Sequence, residues 1–295
     1  MKILVTGCRG QVGKATIVMG AKHGFNMIGY SKENLDITSK KNINDVFNFE
    51  KPDLVINAAA YTNVDNAEKE IDKTFKINEK GTLFLSQICS TFNIPLFHIS
   101  TDYVFDGKLN KPYSEIDNVC PINVYGKSKE SGEKIIRKNI KQHIILRTSW
   151  VFSPDGNNFV NTMMSMVGKK DEINIVEDQF GGPTSANGIA ETLLQIANQY
   201  KNNNQIIWGT YNFSGNPNIS WYDFANQIFK TALSLKLIKK IPIIKPIKSF
   251  TYPTLVKRPA NSRLDCTKIY KNFGITADDW RVRLNECLNN KIDYV

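Results

Sequence analysis

The sequence predicts an open, doubly wound α/β fold of the Rossmann type, built on a parallel sheet, and three observations point to it. Short, β-branched apolar runs recur through the first half of the chain. Helical stretches of about 10–25 residues separate them, as crossover connections between parallel strands require. A glycine-rich turn follows the first run at once, which is where such a sheet meets a phosphate-bearing ligand.

Taken in order, residues 2–6 (K-I-L-V-T) form a run buried on both faces. The turn over residues 7–13 (G-C-R-G-Q-V-G) opens a helix that continues to about His23. Further strands fit residues 26–30, 53–57, 95–100 and 143–147, with a helix over about 125–140. Beyond about residue 168 the rhythm changes. Residues 173–176 suit a strand, 186–200 a helix, and 220–235 a helix with Ser220 as its N-cap. The segments 241–247 and 251–255 are proline-marked and suit irregular or edge positions; a last helix fits 277–289. The expected division is a dinucleotide-binding domain over 1–168. A smaller α+β substrate-binding region follows over 169–295, with segments such as 186–200 packing back on the first domain.

Composition narrows the function. The formal net charge is +10, but the lysines are scattered, with no basic stripe interleaved with aromatics, so nucleic acid is not the expected partner. A positive field suits a small anionic substrate instead. No apolar run approaches the roughly 20 residues that span a bilayer, and the basic stretch 233–250 is interrupted by Pro242 and Pro246. The five cysteines and three histidines (His23, His98, His143) show no disulfide or metal spacing. A cytoplasmic protein without a resident metal is expected.

Gly7, Gly10 and Gly13 permit a tight turn, close approach of a pyrophosphate and close helix–strand packing, with the helix N-terminus aimed at the phosphates. NAD sites usually place an acid at the end of the second strand. Here that strand ends Gly29-Tyr30-Ser31-Lys32, and the first acid is Glu33. Arg9 and Lys32 are placed to face a 2′-phosphate, which predicts NADPH, with NADH possible.

Tyr125 and Lys129 are four residues apart on an expected helix and so share a face. A carbonyl-reducing nicotinamide enzyme needs a proton donor there, and a neighbouring ammonium would lower the phenol's pKa from about 10. Such a pair alone arises often by chance. Thr101, at the end of the fourth strand, adds a hydroxyl at the carboxyl edge where ligands bind. Glycine turn, strand-end hydroxyl and Tyr-x-x-x-Lys in this order point to a reductase.

With these motifs the chain resembles the extended short-chain dehydrogenases/reductases, and within them the dTDP-4-dehydrorhamnose reductase family. The likeness runs through residues 57–65 (N-A-A-A-Y-T-N-V-D), 100–105 (S-T-D-Y-V-F), 123–129 (N-V-Y-G-K-S-K) and 147–151 (R-T-S-W-V). It continues through 178–184 (D-Q-F-G-G-P-T) and 258–264 (R-P-A-N-S-R-L). It implies Thr101, Tyr125 and Lys129 as the catalytic trio. The cofactor would meet Gly7, Arg9, Gly10, Gln11, Val12, Gly13, Ser31, Lys32, Asp36, Ile37, Ala59 and Ala60, together with Tyr125 and Lys129. The substrate would meet Thr101, Asp102, Tyr103, Trp150, Arg258 and Asn261, with the Trp150 indole stacking on a sugar ring.

Some members of the family are dimers bridged by a metal on carboxylates. At two of those positions this chain carries Ala15 and Asn187, so a metal-free monomer or weak homodimer is expected. The implied activity is NADPH-dependent reduction of dTDP-4-dehydro-L-rhamnose, a step toward cell-surface polysaccharide. Two alternatives stay open at this point. One is reduction of a different nucleotide-linked 4-keto-6-deoxy sugar. The other is a non-catalytic NADP-binding subunit, like the regulatory subunit of methionine adenosyltransferase.

Overall fold

The computed structural model describes residues 1–203, 205–252, 254 and 256–289. Five strands form in sequence, β1 (Lys2–Thr6), β2 (Asn26–Tyr30), β3 (Leu54–Asn57), β4 (Leu96–Thr101) and β5 (His143–Thr148). The helices between them are α1 (Gln11–Lys22), α2 (Lys40–Glu50), the short α3 (Val64–Ala67) and α4 (Ile71–Phe75), α5 (Thr82–Thr91) and α6 (Val124–Asn139). A π-helical turn over Lys76–Gly81 joins α4 to α5.

After β5 come β6 (Val151–Phe152), α7 (Phe159–Met166), β7 (Glu172–Val176), β8 (Phe180–Gly181), β9 (Thr184–Ser185) and α8 (Ala186–Asn203). They are followed by β10 (Gly209–Asn212), β11 (Ile219–Ser220), α9 (Trp221–Ser234), β12 (Ile243–Ile247), β13 (Asn261–Ser262), α10 (Thr267–Phe273) and α11 (Trp280–Asn289).

The central sheet has the order β10-β5-β4-β3-β1-β2, and every pairing in it is parallel. Alternate residues of a buried strand face opposite layers. Ile3, Val5, Leu54 and Ile56 therefore join Ile189, Leu193 and Phe213 on one side, where α1 packs on α8. Leu4 and Val55 join Ile43, Phe47, Leu85, Ile88 and Ile136 on the other. A third core, with Phe152, Phe224, Ile228, Phe229, Trp280 and Leu284, lies under α7, α9 and α11.

The sixth strand, β10, is absent from the sequence reading. Its residues (G-T-Y-N) are few and half polar, and only pairing with β5 makes them a strand. Together with α8 it carries residues from beyond 168 into the central sheet layer. Ser220 does cap α9, accepting from the Asp223 amide at 3.0 Å. The segment 241–247 becomes an edge strand, β12, paired in parallel with β7. The last helix starts at Trp280, three residues later than expected, where Asp279 takes the Arg281 amide at 2.9 Å. In the segment 251–255, Pro253 and Leu255 lie outside the described residues, as do the final six residues of the expected second region. Among the described residues no helix is long and apolar enough to cross a membrane, and no group of three or more His, Cys, Asp or Glu is placed to hold a metal ion.

Candidate active site and cofactor cleft

The carboxyl ends of β1 to β5 open into a cleft of two compartments. The inner one has a volume of about 340 Å³ and the outer one about 270 Å³. Gly10, Ala58, Ala59 and Ala60 line both, so the compartments are continuous. The small side chains after β3 keep that passage open.

The glycine turn lies beneath it. Gly7 has φ +64°, and a Cβ there would come within 2.7 Å of the Ala59 backbone. Gly13 does not line the cleft; it lets the first turn of α1 close against the Gly7 carbonyl. Gly10 caps α1 without any side-chain bond, so the first amides of the helix face the cleft as an anion cradle. These residues fit a dinucleotide. Gln11 and Val12 line the inner compartment. The Gln11 side chain is already engaged: its Oε1 accepts from Ser153 at 2.8 Å and from Asn158 at 2.9 Å, bracing the 153–158 loop.

The outer compartment is lined by Gly7, Arg9, Ser31, Lys32, Asp36 and Ile37, as the sequence suggests. Arg9 is not a free cation. It pairs with Glu33 at 3.3 Å, both side chains largely exposed, and Glu33 also accepts from Ser31. The Ser31 bond and the Arg9 and Lys32 charges hold the Glu33 carboxyl below its usual range. Asp36 accepts from Thr38 at 2.8 Å.

The inner compartment brings together Thr101, Asp102, Tyr103, Tyr125, Lys129 and Trp150. Asn123 caps α6 by accepting from the Gly126 amide at 2.8 Å. A side chain at Gly126 would collide with the Tyr103 carbonyl, so this glycine lets α6 approach the strand end. That approach brings Tyr125 into the inner compartment beside Thr101. The Thr101 Oγ1 also lies 3.1 Å from Asp102 Oδ1 and accepts from the Tyr103 amide at 3.2 Å. Burial pushes the Asp102 carboxyl up to about 6, and its Oδ2 has no hydrogen-bond partner among the described residues.

One expectation is corrected here. Lys129 does not lower the phenol of Tyr125: burial pushes that phenol up, and no cation offsets it. The Lys129 Nζ turns instead to β4, donating to the Ile99 carbonyl at 2.7 Å and lying 3.0 Å from His98 Nε2. Burial lowers the Lys129 pKa to about 8. One turn further along α6, Glu133 accepts from Arg147 Nη2 at 2.7 Å, Ser100 at 2.6 Å and Arg137 at 3.0 Å. Burial opposes ionisation of Glu133, but the Arg147 bonds and charge overcome it and hold the carboxyl below its usual range. This buried pair ties α6, β4 and β5 into one frame.

Three substrate expectations also change. The Trp150 ring is stacked on Trp221 with centroids 3.4 Å apart, and the Gly181 backbone abuts it. Protein groups thus occupy the π surface proposed for a sugar, although Trp150 still lines the cleft. Asn261 uses its amide structurally, donating to the Leu109 and Lys111 carbonyls at 2.7 and 2.8 Å and accepting from Arg263. Arg258 lines neither compartment. It pairs with Asp65 at 3.0 Å and lies beside Tyr103, whose ring meets Tyr125 edge-on at 5.6 Å; the buried Nε of Arg258 has no partner among the described residues.

The sequence reading also missed His98, Asn57 and Thr6, which are buried behind Lys129. The available signal was polar residues within runs otherwise wholly apolar.

The chain is similar to known proteins along nearly its whole length. The family described as RmlD substrate binding domain matches residues 1–292. A dTDP-4-dehydrorhamnose reductase of Aggregatibacter actinomycetemcomitans is 42% identical over 281 residues, covering 95% of this chain and 96% of that protein. The spore coat polysaccharide biosynthesis protein SpsK of Bacillus subtilis is 35% identical, covering 98% of each. The crystal structure of dTDP-4-dehydrorhamnose reductase from Bacillus anthracis in complex with NADP is 30% identical, with a TM-score of 0.90 over 98% of this chain and 99% of that one.

Proposed function

From the premise that the chain belongs to the dTDP-4-dehydrorhamnose reductase family, we propose that it reduces dTDP-4-dehydro-L-rhamnose to dTDP-L-rhamnose with NADPH. The single observation that carries this reading is the Thr101–Tyr125 hydroxyl pair, set beside Lys129 at the end of a cleft shaped for a dinucleotide.

The α1 amides and the Ala58–Ala60 passage would hold NADPH, which would supply the hydride. Thr101 holds the sugar carbonyl oxygen through its hydroxyl. Tyr125, kept protonated by burial, gives its proton to that oxygen as charge develops there. A phenol held neutral suits the direction of reduction, because the donor enters the reaction loaded. Asp102 lines the inner compartment beside Thr101 and is placed to meet a sugar hydroxyl. Arg258 lies beside Tyr103, outside both compartments. Trp150, which lines the inner compartment, stacks on Trp221 of the region beyond 168. We place the protein in the cytoplasm as a monomer or weak homodimer, supplying an activated sugar for cell-surface polysaccharide.

Loss of NADPH absorbance with dTDP-4-dehydro-L-rhamnose tests the reading, with the Tyr125→Phe protein alongside. Turnover by the unaltered protein alone is expected. Equal turnover by both would remove Tyr125 as the donor. Binding of NADPH without turnover by either would favour another nucleotide-linked 4-keto sugar.

A further inference from the structure

His98 is buried on β4, and each of its ring nitrogens faces another nitrogen. Asn57 Nδ2 lies 2.9 Å from Nδ1, and Lys129 Nζ lies 3.0 Å from Nε2. A neutral imidazole has one donor and one acceptor, so it cannot satisfy two donors.

The orientation of Asn57 decides between them. Its Oδ1 accepts from the Thr6 hydroxyl at 2.7 Å and from the Ala59 amide at 3.1 Å. The Ala59 amide can only donate, so turning the Asn57 amide over would set two donors against each other. Nδ2 therefore faces the ring and donates to Nδ1, which places the imidazole proton on Nε2. That proton points at Lys129, whose Nζ must present a lone pair; an ammonium has none.

We propose that His98 is the positioning residue of Lys129, its Nε2–H donating to a neutral amine that it holds back against β4, and that uptake of a solvent proton by Lys129 breaks this bond and frees the ammonium toward Tyr125. The inference rests on the assignment of Lys129 to the reductase centre. It makes the position of Lys129 depend on its charge.

The surroundings support it. Burial disfavours charge on both partners, lowering Lys129 to about 8 and His98 well below its usual value. The facing carboxylate, Glu133 on the same helix, favours the ammonium, but it is already engaged by Arg147, Arg137 and Ser100. Tyr125, the other titratable group on this face of α6, is held as a neutral phenol, and the raised Asp102 beside Thr101 faces Tyr125. Both readily available forms of Lys129 thus lie close to working pH.

Nitrogen-15 labelling of the three histidines reads the tautomer in the ligand-free protein. The expected result is a neutral His98 ring protonated on Nε2 from about pH 6 to about pH 9. Its Nε2–H resonance should move as Lys129 titrates near pH 8, and should stay still in Lys129→Met. A ring protonated on Nδ1, or a charged ring, would overturn the proposal.

Kinetics provide a second readout. His98→Gln keeps an amide donor toward Lys129 and should hold the alkaline limb of the kcat profile, with kcat within about threefold. His98→Leu should shift that limb and lower kcat at unchanged KM for the nucleotide sugar. Identical profiles for the two variants would reduce His98 to packing. Because the tautomer is read without substrate, its failure and a failure of the reductase reading are separate results.

Discussion

At the inner end of the cleft, Asp102, Lys129 and Glu133 are buried and their partners are other buried groups. At the outer end, Arg9 and Glu33 stand mostly in solvent and meet each other. The difference follows from dielectric environment. Inside, a charge or proton is strongly coupled to its neighbours and a single atom decides its state. Outside, water screens each charge, so selection there is a sum of weak preferences. On the proposed function, chemistry belongs to the inner end and cofactor preference to the outer one.

The largest effect expected belongs to the inner end. Tyr125→Phe should lower kcat by roughly 10²–10⁴-fold, the usual worth of a general acid, while NADPH affinity changes little; stopped-flow and fluorescence titration separate the two. An effect on affinity alone would break the comparison. Next comes the frame behind the site. Glu133→Ala leaves Arg147 buried without its carboxylate, and should cost about 3–5 kcal/mol in chemical denaturation.

Asp102 sharpens the contrast through pH. Its folded pKa of about 6 lies above that of a free carboxyl, so the folded state binds the proton more tightly. The resulting stabilisation is complete below about pH 4 and is lost as pH rises through about 6. Asp102→Asn should remove this loss, about 3 kcal/mol between the two limits, as read by denaturation at both. The smallest effect belongs to the outer end. Glu33→Gln releases Arg9 and should raise the NADPH-over-NADH ratio of kcat/KM by roughly two- to fivefold. The gain should shrink in high salt; a change as large as that of Tyr125→Phe would erase the distinction between the ends.

Much of the inner end was legible from the chain. Thr101, Tyr125 and Lys129 follow from a strand end and a helical spacing, both local features, and α6 carries the last two where expected. The outer lining was legible too, since it follows the turn and the second strand. The failures share a cause. Asn261 and Trp150 have the right chemistry for a ligand, but neighbours distant in sequence use it first: Leu109, Lys111 and Arg263 for one, Trp221 and Gly181 for the other.

By itself the sequence determined what short-range periodicity and residue type determine. These are five strands of a parallel sheet, the glycine turn, the cap Ser220, and the residues able to move a proton. Tertiary structure alone decided the sixth strand, which exists only by pairing with β5, and the direction in which Lys129 points. That direction depends on Thr6, Asn57, Ala59 and His98, contributed by three strands and a loop. Hydrogen-bond polarity passes from one to the next through space, and no spacing along the chain records it.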